Sequence, residues 1–298
     1  MSYSAIQTII RLISYLPLPV GRFLGRMLGT ALSMIPMERT VVSLENIRKS
    51  FADSMGMADA KRLNRRVILH FGQMLFEIPH IMRMNKRNLE KYVRFDGEEN
   101  LAQALRKGKG LFLLTGHFGN WELMAAAVSL RFGPLAIVAR SFDFKPLDRF
   151  MTDLRSRFRS EIIPKQRAMR RILKTIKQNR MVGILMDQNV DWYEGAFVRF
   201  LGRWACANKG LALMAQRTGA SVVPVFPVRQ DDGRYCITFG KEIRLIRTGD
   251  RTKDVEDNTA LFTSVIEDYV RRYPDHWFWF HRRWKTRPYC TLPDNFFS

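Results

Sequence analysis

The sequence has little cysteine, no low-complexity run and no long uninterrupted apolar stretch, and each shortage removes a class of protein. The three cysteines, Cys206, Cys236 and Cys290, are widely spaced and odd in number. That excludes a disulfide scaffold and a zinc cluster, and it fits a reducing compartment such as the cytoplasm. Acidic residues are also scarce: 28 Asp and Glu face 49 Lys and Arg, a formal charge of +21 over 298 residues. A surplus of that size points to an anionic partner, whether nucleic acid, an anionic lipid surface or an acidic carrier protein. The chain also lacks a G-x-S-x-G elbow, a Walker loop, an H-E-x-x-H motif and a C-x-x-C pair. Those absences leave no foothold for the corresponding hydrolase, nucleotide and metal chemistries.

Residues 5–37 are apolar, but Arg11, Arg22 and Arg26 interrupt them and Pro17 and Pro19 break them near the middle. No window of about 18 uncharged apolar residues results, so an ideal spanning helix is not expected. No small-x-small cleavage pattern of a secretory signal stands out either. Two readings remain: an apolar helical hairpin dipping into a bilayer face, or a pair of helices packed on the main domain. Membrane contact is preferred, which divides the chain into a membrane-associating helical segment at 1–40 and a catalytic domain at 41–298.

Beyond that segment, apolar residues recur at helical spacing from Ala58 to about Arg83 and predict a long amphipathic helix. Apolar runs at 111–115, 134–139, 182–186 and 222–226 read as strands covered on both faces. Helical patterns near 121–130, 146–158, 166–178 and 208–217 lie between or beside them. A fifth strand is expected at 234–240 and a closing helix at 255–272. Strands alternating with helices predict an α/β fold, a layered sheet flanked by helices.

The sharpest local signal is GHFGNWE at 116–122, which follows a buried strand and leads straight into a helical pattern. Sites of α/β proteins open at such strand-to-helix turns. Gly116 and Gly119 permit a tight path, and Asn120 is a natural N-cap. His117 and Glu122, five residues apart, meet only with His117 in the turn and Glu122 in the first helical turn. A histidine held by a carboxylate is the arrangement of a general base. With no protein nucleophile in view, the attacking group is the substrate's own hydroxyl, and neither a metal nor an organic cofactor is required.

H-x-x-x-x-E resembles the H-x-x-x-x-[D/E] motif of glycerolipid-type acyltransferases, and HFGNWE is similar to its form in the lipid A late acyltransferases. ENIRKSF at 45–51, VAR at 138–140 and RSRFRSEIIPK at 155–165 resemble further segments of that family. So do ILMDQN at 184–189, the stretch at 200–226 and WFWFHRRWKTRP at 277–288. One departure is Ala207, where the family pattern has Thr.

The resemblance implies that His117 is the base and Glu122 its orienting partner. It also implies that Arg140 binds substrate phosphate or stabilises charge, and that Asp187 and Gln188 belong to the site. Amides near Asn120, or Arg140, would stabilise the oxyanion. WFWFHRRW reads either as an aromatic belt at a membrane interface or as core packing. The implied reaction carries an acyl chain from acyl carrier protein, or from acyl-CoA, to a hydroxyl of a lipid A precursor. The implied location is the cytoplasmic side of the inner membrane. A different lipid acceptor, such as a lysophospholipid, an ornithine lipid or a phosphatidylinositol mannoside, is the alternative. Of a different class is a basic nucleic-acid- or membrane-binding protein without catalysis, but no nucleic-acid-binding motif is present and no nucleic-acid partner is expected.

Residues 155–180 carry ten basic side chains against Glu161 alone. From 167 to 177 they fall at helical spacing beside an apolar side formed by Met169, Ile172, Leu173 and Ile176. A cationic ridge follows, with Arg170, Arg171 and Lys174 as candidate contacts for an anionic partner.

Overall fold

The computed structural model describes residues 3–166 and 168–288. Cys290 and Arg167 of the readings above therefore lie outside the described residues. Four helices open the chain: α1 (Tyr3–Tyr15), α2 (Leu18–Ser33), α3 (Glu38–Ser50) and α4 (Met57–Glu77). Then come β1 (Val93–Asp96), α5 (Glu98–Arg106), β2 (Leu111–Thr115), α6 (Trp121–Phe132), β3 (Leu135–Ala139) and α7 (Lys145–Ser156). The core continues through β4 (Glu161–Pro164), α8 (Ala168–Lys177) and β5 (Met181–Leu185). A hairpin of β6 (Gly195–Phe200) and β7 (Arg203–Asn208) leads to α9 (Gly210–Thr218), β8 (Ser221–Arg229), β9 (Tyr235–Phe239) and α10 (Arg251–Arg272).

Seven strands form one sheet in the order β1-β9-β8-β2-β5-β3-β4. Every neighbouring pair is parallel except β8 with β9. β2 is buried along its whole length, as its unbroken LFLLT run requires of a strand covered on both faces. One face of the sheet is covered by α8, α9 and α10 through Ile172, Ala212 and Phe262. The other is covered by α5, α6 and α7 through Leu101, Ala127 and Met151. The expected layered α/β fold is therefore present.

The amphipathic helix expected to run to residue 83 ends as α-helix at Glu77, and Ile78–Arg83 tightens into a 3₁₀ turn at Pro79. α2 lies flat on α4 because Gly21, Gly25 and Gly29 face it. A Cβ at Gly25 would stand 2.6 Å from the backbone of Gly72 and Gln73. The other side of the two N-terminal helices exposes Ile9, Leu12, Tyr15, Phe23, Met27 and Met34. Among the described residues no helix is long and apolar enough to cross a membrane.

Candidate active site

Strand register builds the centre of the site. Thr115, the last residue of β2, is level with Leu185, the last residue of β5. Two residues beyond each strand end stand His117 and Asp187. His117 Nδ1 lies 2.8 Å from Asp187 Oδ1, and the His117 backbone N–H donates to Oδ2 at 2.9 Å. The Trp277 indole N–H donates to the same Oδ2 at 2.8 Å. Gly116 leaves room for this approach, since a Cβ there would come within 3.0 Å of the Asp187 carboxyl carbon.

Burial alone would raise the Asp187 pKa, but the charge and hydrogen bonds of His117, together with the indole, hold it at about 2. An ionised Asp187 only accepts, so His117 donates Nδ1–H to it, which leaves Nε2 as the acceptor nitrogen of the neutral ring. That nitrogen has the Gln188 amide nitrogen 3.3 Å away. It faces a cleft of about 1060 Å³ that His117, Trp121, Glu122, Arg140 and Gln188 line with many aliphatic side chains. The volume sits at the upper limit of ordinary ligand pockets, roughly 300–1,000 Å³.

The expected contact between His117 and Glu122 is not made. Glu122 is buried and accepts both Nε and Nη2 of Arg155, at 2.9 and 2.5 Å, and the Trp121 indole N–H at 3.1 Å. The reason is helix direction: Glu122 is the second residue of α6, and its side chain points toward α7, where Arg155 sits. It reaches the histidine only through Trp121, whose ring meets that of His117 edge-on at 5.1 Å. Arg155, read from sequence as part of the cationic band, is accordingly an interior residue.

Asn120 is the N-cap, accepting from the Leu123 N–H at 3.0 Å. Fully buried, with its amide nitrogen bonded to Glu77 at 3.1 Å, it is a support of the turn and not a substrate contact. Arg140 lines the cleft, is exposed and pairs with Asp143 at 3.1 Å. Arg170, Arg171 and Lys174 are exposed on α8, with Arg171 reaching Glu161 at 3.3 Å. Ala207 is buried in β7 opposite Ala196 and brings no hydroxyl to the hairpin.

The segment from Trp277 to Thr286 proves to be core packing, and it straps the site. Besides the indole bond to Asp187, the Phe278 N–H donates to the His117 carbonyl at 2.9 Å. His281 Nε2 accepts the Asn189 N–H at 2.9 Å. Burial lowers the His281 pKa to about 4, against the pull of Asp187, so the ring is neutral and suited to accept. Arg283 is completely buried, donates to the Cys206 carbonyl at 2.5 Å and has its pKa lowered to about 10 by burial, with Asp187 opposing. Sequence reasoning missed the contacts that Trp277, Arg283 and Glu77 make with Asp187, Gln188 and Asn120. The aromatic block at 277–284 was the only trace of the first two.

A histidine with an acid on the neighbouring strand, beside an apolar cleft, suits proton removal from a hydroxyl near an acyl chain. The sequence profile of bacterial lipid A biosynthesis acyltransferases matches residues 2–286. The chain belongs to that family. It is therefore an acyl-transferring enzyme, and the reading as a basic binding protein without catalysis falls away. A lipid A biosynthesis acyltransferase of Haemophilus influenzae is 26% identical over 218 residues, covering 72% of this chain and 66% of its own length. The lipid A biosynthesis lauroyltransferase of Escherichia coli is 25% identical over 283 residues, 93% of this chain and 89% of its own. A phosphatidylinositol mannoside acyltransferase of Mycobacterium tuberculosis is 25% identical over 189 residues, 60% of each chain. The names of these relatives thus include more than one acceptor.

Proposed function

We propose that this acyltransferase moves a fatty acyl chain from a thioester, on acyl carrier protein or coenzyme A, to a hydroxyl of a lipid A precursor. The observation that carries this reading is the His117 ring, held at Nδ1 by buried Asp187, on the wall of a largely apolar cleft. Nε2 takes the hydroxyl proton, the alkoxide attacks the thioester carbonyl, and the tetrahedral oxyanion collapses with loss of the thiolate. The imidazolium, stabilised by Asp187, then returns its proton to the leaving sulfur. The Gln188 amide donates to the oxyanion; losing one such donor typically costs about 3–4 kcal/mol. Arg140 meets phosphate at the open side of the cleft. Glu122 holds Trp121 and Arg155 in the cleft wall.

The exposed apolar face of α1 and α2 rests on the cytoplasmic face of the inner membrane, where a lipid acceptor lies within reach. The cationic face of α8 receives an anionic partner, the carrier protein or substrate phosphates. A second reading, transfer to a mannosylated phosphatidylinositol, is favoured by the likeness to the mycobacterial enzyme. Mass spectrometry of lipid A from cells with and without the gene separates the two. An acyl chain missing without the gene supports the first; an unchanged acyl count removes the lipid A acceptor and leaves the second in force.

A further inference from the structure

Glu77, at the C-terminal end of α4, is 1% exposed and gathers donors from four places in the chain. Its Oε1 accepts Nε of Arg22 on α2 at 2.9 Å. Its Oε2 accepts Arg229 of β8 at 3.1 Å, the Tyr235 hydroxyl of β9 at 2.8 Å and the Asn120 amide at 3.1 Å. Burial would push its pKa up, but Arg229 and Arg22 bring it down, so one buried carboxylate sits between two guanidiniums. The bond to Glu77 also fixes which way the Asn120 amide points. With its nitrogen on Glu77, its oxygen must face α6, where it caps Leu123. The cap follows the His117 turn directly, and Gly119 within that turn has φ 54 with its N–H on the His276 carbonyl at 2.8 Å.

Arg22 belongs to the N-terminal hairpin. α2 has no slack against α4, because the glycine stripe brings the two backbones together, so the guanidinium is delivered to Glu77 by the helix as a rigid body. The next residue, Phe23, about 100° further round the helix, is 62% exposed. One turn of α2 therefore presents an apolar face outward and an ion-pair donor inward.

We infer that Glu77 is a positioning residue for the His117 turn, and that Arg22 makes the N-terminal hairpin part of that support. The hairpin is then a component of the active-site scaffold and not a detachable anchor. The inference rests on His117 being the base. Disturbing such a support displaces the turn slightly, and a shift of about 1 Å at a reacting group costs up to about 100-fold in rate.

Two variants of the full chain sever the path at different points: Arg22→Met keeps an unbranched apolar stem while removing the guanidinium, and Asn120→Ser keeps a cap oxygen while removing the amide donor to Glu77. Turnover is measured with detergent-dispersed lipid A precursor and acyl carrier thioester, per folded molecule as judged by near-ultraviolet dichroism. Flotation with phosphatidylethanolamine–phosphatidylglycerol vesicles reports attachment. Each variant is expected to lose about 10-fold in kcat with KM within twofold and vesicle binding unchanged. The double variant should be no worse than the poorer single one, since both cut one path, and Arg22→Lys should recover part of the rate. Where Arg22→Met does not fold, Arg22→Lys and Asn120→Ser carry the comparison. Unchanged kcat, a loss confined to KM or to vesicle binding, or losses that multiply would overturn the inference. His117→Ala serves as the separate control. If it stays active, the base assignment fails; if it is inert while Asn120→Ser runs at full speed, only the linkage to Glu77 fails.

Discussion

His117 is the proposed base, and its carboxylate partner is the residue where sequence reasoning was least successful. The motif H-x-x-x-x-E suggests a contact between two residues of one turn, whereas the carboxylate at the ring belongs to Asp187, 70 positions away. Proximity in sequence favoured Glu122; strand order decided for Asp187. Replacing His117 with Ala is expected to cost about 100- to 10,000-fold in kcat, the usual worth of a positioned base. Asp187→Asn should cost a similar factor, because an amide neither fixes the tautomer nor stabilises the imidazolium. Glu122→Gln should cost less than Asp187→Asn, since Glu122 touches Trp121 and Arg155 only. Steady-state kinetics of the three variants check the order, and a Glu122→Gln loss exceeding that of Asp187→Asn would return the orienting role to Glu122.

The same carboxylate makes the fold sensitive to acid. Asp187 is held at about 2 against an ordinary 3.8, so it stabilises the native state wherever it is ionised in both states. That contribution, about 2 kcal/mol, is complete above about pH 5 and declines as pH falls toward 2. Urea unfolding at pH 7 and pH 3 should show the wild type losing this portion and Asp187→Asn not losing it. Equal pH dependence in both proteins would mean that the carboxylate is not favoured by folding.

Among the elements, β2, β3, β5, β8 and β9 were legible because they are continuous apolar runs or buried alternations bounded by turns. β1 and β4 were not, since each is a four-residue edge strand, and Glu161 and Pro164 make β4 read as a loop. The hairpin β6–β7 escaped because its turn uses Leu201 at φ 50 with Gly202, where Asn-Gly is the familiar signal. The strap after α10 was legible as a block of aromatics but not as a clamp, because its partners Asp187 and Cys206 are distant in the chain.

The glycines of α2 illustrate how contact outweighs propensity. A helical Gly→Ala change normally gains about 1 kcal/mol. At Gly21 the nearest atom to an added Cβ is His80 Nε2 at 3.4 Å, so Gly21→Ala is expected to be neutral or stabilising. At Gly25 the added carbon meets backbone at 2.6 Å, which cannot swing aside, and overpacking costs of about 1–3 kcal/mol prevail. Thermal unfolding should shift in opposite directions, or at least fall only for Gly25→Ala. Equal shifts would show that the two helices have room to part.

For the whole molecule, the N-terminal hairpin and the cationic helix meet the core at different elements. α1 meets the α7 side, where Tyr3 and Ile10 pack, while α8 covers the other face. Arg180 and Arg171 share Glu161, and Arg170, Lys174 and Lys177 form no ion pair among the described residues. Reversing Arg170, Arg171 and Lys174 to Glu is expected to raise KM for the anionic partner and flatten its salt dependence, with kcat little changed, since exposed attraction is screened within about 8–10 Å. A salt series on the triple variant checks this, and an unaltered KM and slope would make the ridge merely solvated surface.

The 70-residue separation of His117 and Asp187 also sets when the two can meet during synthesis. At about 5–20 residues per second, the ribosome delivers Asp187 roughly 4 to 14 seconds after His117. Trp277, which bonds the same carboxylate, emerges later still. Until Asp187 emerges, the nascent chain carries His117 without its carboxylate partner. The contact between His117 and Asp187 can form only after β5 has slotted in beside β2.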